Sequence, residues 1–223
     1  MTGPVSGLAF PTPPLTQMIS ALFNEILSAS ILPLRRDMNA ITTRRMLLWR
    51  EQIPESWLPK VLGNLPAVLI DHAHLERKAA TTALNLEKYR QLYSRVEELN
   101  AIAIEELQHF QLVLALLRKR GIEFGQPHPS AWISGLMRAV RQGVQQQVID
   151  HLICCSLIEG RSCEKFQILA KELAGLDAEL AQFYGSLVES EGNHYATYVL
   201  MARAIDDAEQ IGGWTSFSIS TLA

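Results

Sequence analysis

Apolar residues recur every three or four positions through two long stretches, Ala67 to Gln126 and Ser130 to Ala223, and neither shows the strict alternation of a half-buried strand. Both stretches are free of proline: nine of the ten prolines lie at or before Pro127, and none follows Pro129. Proline inside a helix costs about 3 kcal/mol, so this distribution outlines where long helices can run. In the first stretch Leu65, Leu69, Ala73, Ala80 and Ala83, and then Leu99, Ile102, Leu107, Phe110, Leu114 and Leu117, predict two helices over residues 66–87 and 91–120. The second closes on Arg118, Lys119 and Arg120 before Gly121, the cations and glycine expected at a helix C-terminus. Ile122 to Pro129 reads as a loop. A short helix over Ser130 to Arg141 follows, then long ones over Val144 to Leu173 and Leu176 to Ala208, broken at Gly175 with Asp177 near the new N-terminus. The predicted fold is all-α: four long helices, a shorter one in the crossover, and a further short helix over Arg44 to Trp57.

Composition narrows this picture. The 223 residues, 48% hydrophobic and 19% charged, make room for one well-buried domain and exclude a disordered or fibrous chain. Residues 1–33, poor in charge and rich in proline, read as an N-terminal extension; residues 34–210 carry the bundle, and 211–223 a loosely held tail. The net charge is −3, so any nucleic-acid contact must come from a local basic patch. Arg35, Arg36, Arg44, Arg45, Arg50 and the Arg118-Lys119-Arg120 run are the candidates, although the run also suits a helix C-terminus. No stretch offers the roughly 20 consecutive apolar residues of a membrane span, and no positive region precedes the first apolar stretch as in a signal peptide. Cys154, Cys155 and Cys163 form neither a disulfide framework nor a paired zinc spacing, and read as small core residues in a reducing, cytoplasmic setting.

The candidate chemistry lies in two Glu-x-x-His sequences, Glu106 with His109 and Glu191 with His194. Each follows a single glutamate on the preceding long helix, Glu76 and Glu159, placed 30 and 32 residues earlier. Corresponding positions in the two halves are offset by 83, 85 and 85 residues, an internal pseudo-repeat. Residues i and i+3 share a helix face, so four helices can converge four carboxylates and two imidazoles. That is the donor pattern of ferritin-like di-iron or di-manganese bundles, and the oxygen-rich set favours iron, with manganese as the alternative. A lone Glu-x-x-His is ordinarily a solvated pair. Here Glu106 and His109 are in register with Leu99, Ile102, Val113 and Leu116, and Glu191 and His194 with Leu180, Leu187 and Tyr198. Carboxylates on an apolar seam need a cation. Asp71 and His72 are candidates either for orienting the ligands or for surface roles, Asp71 with His74 is a rival pair, and Glu164 rivals Glu159 but fits the repeat less well. Glu105 is expected to face away from the metals.

The strings Asp71-His72-Ala73-His74-Leu75-Glu76-Arg77-Lys78-Ala79-Ala80, Glu105-Glu106-Leu107-Gln108-His109-Phe110, Ile158-Glu159-Gly160-Arg161-Ser162-Cys163-Glu164-Lys165-Phe166 and Ser190-Glu191-Gly192-Asn193-His194-Tyr195 together resemble the tRNA-(2-methylthio-isopentenyladenosine) hydroxylase family, MiaE. The resemblance spans roughly Trp57 to Ala202. It implies a ferritin-like, O2-dependent, non-haem di-iron monooxygenase that hydroxylates the isopentenyl group of a modified adenosine beside the tRNA anticodon. Its implied iron ligands are Glu76, Glu106, His109, Glu159, Glu191 and His194. It also implies an external electron donor, a reductase or ferredoxin, since the chain carries no flavin or nicotinamide fingerprint. Three positions depart from the family pattern: Leu75 replaces a cysteine, and Asn193 and Tyr195 flank His194 where the family has Arg and Phe. The competing readings are a ferritin-like oxidase or peroxidase acting on another substrate, and a non-enzymatic iron-binding protein.

Overall fold

A computed structural model describes residues 53–127 and 130–211. Among them the chain is helical throughout: α1 (Trp57–Leu62), α2 (Leu65–Leu86), a 3-10 segment (Arg90–Arg95), α3 (Val96–Lys119), α4 (Ala131–Ala139), α5 (Val144–Glu172) and α6 (Ala178–Ile211). The extension, the Arg35 to Arg50 cluster and the tail beyond Ile211 lie outside the described residues. Of the helix expected over Arg44 to Trp57, residues 53–57 are described, and they form a turn in which Trp57 N–H donates to the Pro54 carbonyl at 2.8 Å. The short helix begins where that prediction ends, and Pro59 is tolerated because it sits in the first turn.

The long helices pair as two hairpins, α2 with α3 and α5 with α6. Short connectors make each hairpin antiparallel, and α4 lies in the long crossover between them, against α5. The helix expected from residue 91 starts at Val96, because Arg90–Arg95 is wound as 3-10 helix around one buried anchor, Leu92. At the other end of α3, Gly121 has φ +64°, Gly121 N–H donates to Arg118 O and Ile122 N–H to Leu117 O at 2.9 Å. That left-handed residue closes the helix in a Schellman turn, which glycine adopts without a Cβ penalty.

Two apolar clusters fill the bundle, one around Leu99, Leu152 and Tyr198, the other around Leu69, Val113 and Leu180. On every long helix a polar residue interrupts the apolar seam between the clusters: Glu76 on α2, Glu106 and His109 on α3, Glu159 on α5, Glu191 and His194 on α6. All six are buried. Among the described residues no helix is long and apolar enough to cross a membrane.

Asp177 starts α6 as expected. Its Oδ1 accepts from Leu180 N–H at 3.0 Å, while both carboxylate oxygens accept from Arg120 at 2.5 and 3.0 Å. With Lys119 paired to Glu179, two of the three cations of the 118–120 run tie the first hairpin to the second. They are engaged with protein acids where an RNA contact was a candidate. The Arg120 hydrogen bonds hold the Asp177 carboxyl below its usual range. Its contribution is therefore complete above the ordinary carboxylate value and is lost as the pH falls below it. Asp177→Ala should cost about 2 kcal/mol, a cap plus a charged hydrogen-bonded pair, in urea unfolding at pH 7. The difference from the unsubstituted chain should shrink at pH 3; an equal difference at both values would remove the ion pair from the account.

Candidate metal centre

The structure brings all six expected donors together. Glu76, Glu106, His109 and Glu191 offer ligand atoms within 4.8 Å of one another, and so do Glu106, Glu159, Glu191 and His194. Glu106 and Glu191 belong to both groups. The cluster therefore divides into two adjacent positions: Glu76 and His109 end one, Glu159 and His194 end the other, and two carboxylates lie between. The i, i+3 spacing on α3 and α6 produces this pattern, because it points each glutamate at the centre and its histidine to one side.

Several of these atoms lack protein partners. Both Glu106 oxygens, Glu191 Oε1 and the Nδ1 atoms of His109 and His194 are buried without a hydrogen bond. His194 Nδ1 lies 2.7 Å from Glu106 Oε1 without forming a hydrogen bond, and His109 Nδ1 lies 3.6–3.8 Å from three carboxylates, too far for one. Lone pairs aimed at a shared point suit a cation. Burial together with Glu106 pushes Glu159 up to about 8, and burial together with Glu159 drives Glu191 well above the carboxylate range. Glu106 rises with burial as well. Glu76 goes the other way: burial opposes its charge, but His72 and His109 outweigh it. Burial likewise opposes charge on His109, while Glu106 and Glu76 push that imidazole up to about 10.

The surrounding residues orient the donors. His72 is buried, its Nε2 bonded to Glu76 Oε1 and its ring stacked on Tyr184 at 5.6 Å between centroids. It thus holds a donor, one of its two readings from the sequence. His74 does not join the cluster: Nε2 donates to Gly125 O at 2.8 Å, Nδ1 accepts from Arg77, and the ring stacks on Phe124, locking the crossover loop onto α2. Glu164 pairs with Arg161 at 2.7 Å and stays out of the centre. Glu105 lies outside both donor groups, as expected, but it reaches the back of one of the ligands. Although half exposed, it accepts from His194 Nε2 at 2.8 Å, since a glutamate side chain is long enough to reach back across the helix rim. Ser190 Oγ sits 3.3 Å from His109 Nε2. In both histidines the far nitrogen is held and Nδ1 is left for the centre. The three cysteines are buried in the core, and burial raises each thiol.

A cleft of about 700 Å³ between α2 and α5 reaches the cluster, with Glu76, Glu106, Glu159 and Glu191 among the residues that line it. Leu75, Ile158 and Met137 supply apolar wall, while Arg77 and Lys78 from α2 and Arg161 and Lys165 from α5 supply cations. Sequence reasoning missed these four. Their one signal was position, each within six residues of Glu76 or Glu159.

Residues 40–216 match a family described as tRNA-(MS[2]IO[6]A)-hydroxylase (MiaE). The tRNA 2-(methylsulfanyl)-N(6)-isopentenyladenosine(37) hydroxylase of Pseudomonas putida KT2440 is 36% identical over 159 residues, covering 71% of this chain and 76% of that protein. The protein of the same name from Salmonella typhimurium LT2 is 32% identical, again over 71% of this chain and 76% of its own length. A solved structure named protein 43 with aldehyde deformylating oxygenase activity, from Synechococcus, is similar with a TM-score of 0.61 at 34% identity, over 70% of this chain and 80% of that one.

Proposed function

This chain belongs to the MiaE family of tRNA hydroxylases, and we propose that it works through two iron ions held by Glu76, Glu106, His109, Glu159, Glu191 and His194. It is a tRNA-modifying monooxygenase that hydroxylates the isopentenyl group of 2-methylthio-isopentenyladenosine. The observation that carries the iron assignment is the pair of four-donor groups sharing Glu106 and Glu191, which line an open cleft. Four carboxylates neutralise two divalent ions, and the oxygen-rich set with two imidazoles suits iron, with manganese second. When bound, the metal pair supplies O2 activation and allylic C–H oxidation, with two electrons from an external reductase or ferredoxin.

The chain's own residues do the rest. Glu105 and Ser190 fix the imidazoles so that Nδ1 faces inward, and His72 holds Glu76. Leu75, Ile158 and Met137 give the isopentenyl chain an apolar path that keeps water from the centre. Arg77, Lys78, Arg161 and Lys165 offer cations to the phosphates of an RNA whose modified base has left its stack. A tRNA substrate and three buried free cysteines support a cytoplasmic setting.

The test is reconstitution with iron, followed by O2, a reductant and tRNA carrying the modified adenosine, with mass spectrometry of the digested nucleosides. Two irons per chain and one added oxygen on the nucleoside are expected. Two irons without an oxidised nucleoside would overturn the substrate and leave an oxidase or peroxidase; no bound metal would overturn the ligand set.

A further inference from the structure

Five aromatic side chains line the cleft, and four of them are unavailable to a ligand. Phe166, Tyr184 and Tyr198 are buried, and Lys165 Nζ lies over the Trp57 ring at 5.8 Å. Trp132, on α4, is 37% exposed. We propose that the Trp132 indole is the platform on which the modified purine stacks while its isopentenyl arm reaches the carboxylate cluster. This rests on the RNA hydroxylase reading and adds to it a residue that positions the base.

Helix α4 is built to present that ring. Ser130 Oγ accepts from Ile133 N–H at 3.2 Å, capping the first turn, the turn that carries Trp132. Leu136 is 2% exposed and anchors the helix in the core, with Cys154 Sγ donating to its carbonyl. With Leu136 turned inward, Trp132, Ile133 and Met137 fall on the adjoining arc and line the cleft, where Met137 is also exposed. An indole left partly in water, in a cleft that also holds Arg77 and Lys78, suits a ligand with a flat π-face, an apolar arm and a phosphate backbone. A prenylated nucleotide in RNA has all three. Lys78, exposed on α2, has no ion pair among the described residues, so its charge is available to that backbone. Stacking is also tolerant of the base's other substituents, so the arm's fit against the apolar wall would do the selecting.

The test uses iron-loaded full-length protein and an anticodon stem-loop carrying the modified adenosine, with an unmodified loop as control. Dissociation constants come from labelled RNA, and KM and kcat from nucleoside analysis. For Trp132→Ala, Kd and KM for the modified loop should rise about 5- to 150-fold, the range one base stack commands, with the loss falling mainly on KM. Trp132→Phe should recover most of it. Iron content should not move, since Trp132 belongs to neither donor group, and Tm should fall by no more than about 2–4 °C, since the ring is already partly in water. Kd and KM within twofold of the unsubstituted protein in Trp132→Ala would overturn the stacking platform while leaving the hydroxylase reading intact. An unsubstituted protein that neither distinguishes modified from unmodified loop nor oxidises it would overturn both.

Discussion

Glu106→Ala should abolish metal loading at both positions and lower nucleoside hydroxylation by at least about 100-fold, a larger loss than removing a residue that merely orients a ligand. The expectation follows from the division of the cluster. Glu106 belongs to both four-donor groups, so its removal takes a carboxylate from each, whereas Glu76 or Glu159 serves one. It is fully buried and both its oxygens lack a hydrogen-bond partner, so alanine breaks no hydrogen bond and removes only the close approaches of His194 and His109 within the site itself. Helix content by circular dichroism should therefore persist while bound iron falls. Glu164→Ala is the control: that carboxylate sits on α5 five residues beyond Glu159 but pairs with Arg161, and its loss should leave two irons in place. Full iron occupancy in Glu106→Ala would sink the shared-carboxylate arrangement.

The six converging residues could be read from the sequence because helical geometry turns spacing into direction. An i, i+3 pair on an apolar seam must point inward, and the 83- to 85-residue repeat requires both halves to point at one place. The helix ends were legible for the same local reason, with Gly121 and Asp177 carrying their own stop and start signals. What was not legible depends on how helices are rotated and how far side chains reach. Which glutamates are shared between positions is fixed by the approach of α3 to α6, and no single helix records that. Glu105 looked outward because it stands about 100° from Glu106 around the helix, yet its length lets it return to His194 on another helix. No spacing marks the cleft cations in the sequence, because only the pairing of α2 and α5 sets them around one opening. His72 and His74, two residues apart on one helix, part company for the same reason: one meets Glu76, the other the crossover loop.

The same convergence that makes the site should weaken the fold when metal is removed, and Glu159→Gln separates the two effects. Glutamine keeps the shape of the side chain and removes one of four carboxylates gathered in the interior. Burial and Glu106 push Glu159 up to about 8. A carboxyl raised in the folded state contributes stability that is complete below the unfolded value near 4.5 and is lost as the pH rises through about 8. The amide escapes that loss. In urea unfolding with a chelator present, the variant should therefore be more stable than the unsubstituted chain at pH 8.5, by an amount on the order of a few kcal/mol. The advantage should vanish near pH 4, where a neutral carboxylic acid and an amide are nearly equivalent. With iron present the order should reverse, because metal bound only to the folded state stabilises the unsubstituted chain and the variant has lost a donor. A metal-free variant less stable than the unsubstituted chain at pH 8.5 would mean that the gathered carboxylates do not repel one another, and the case for a cation holding them together would lose its physical basis.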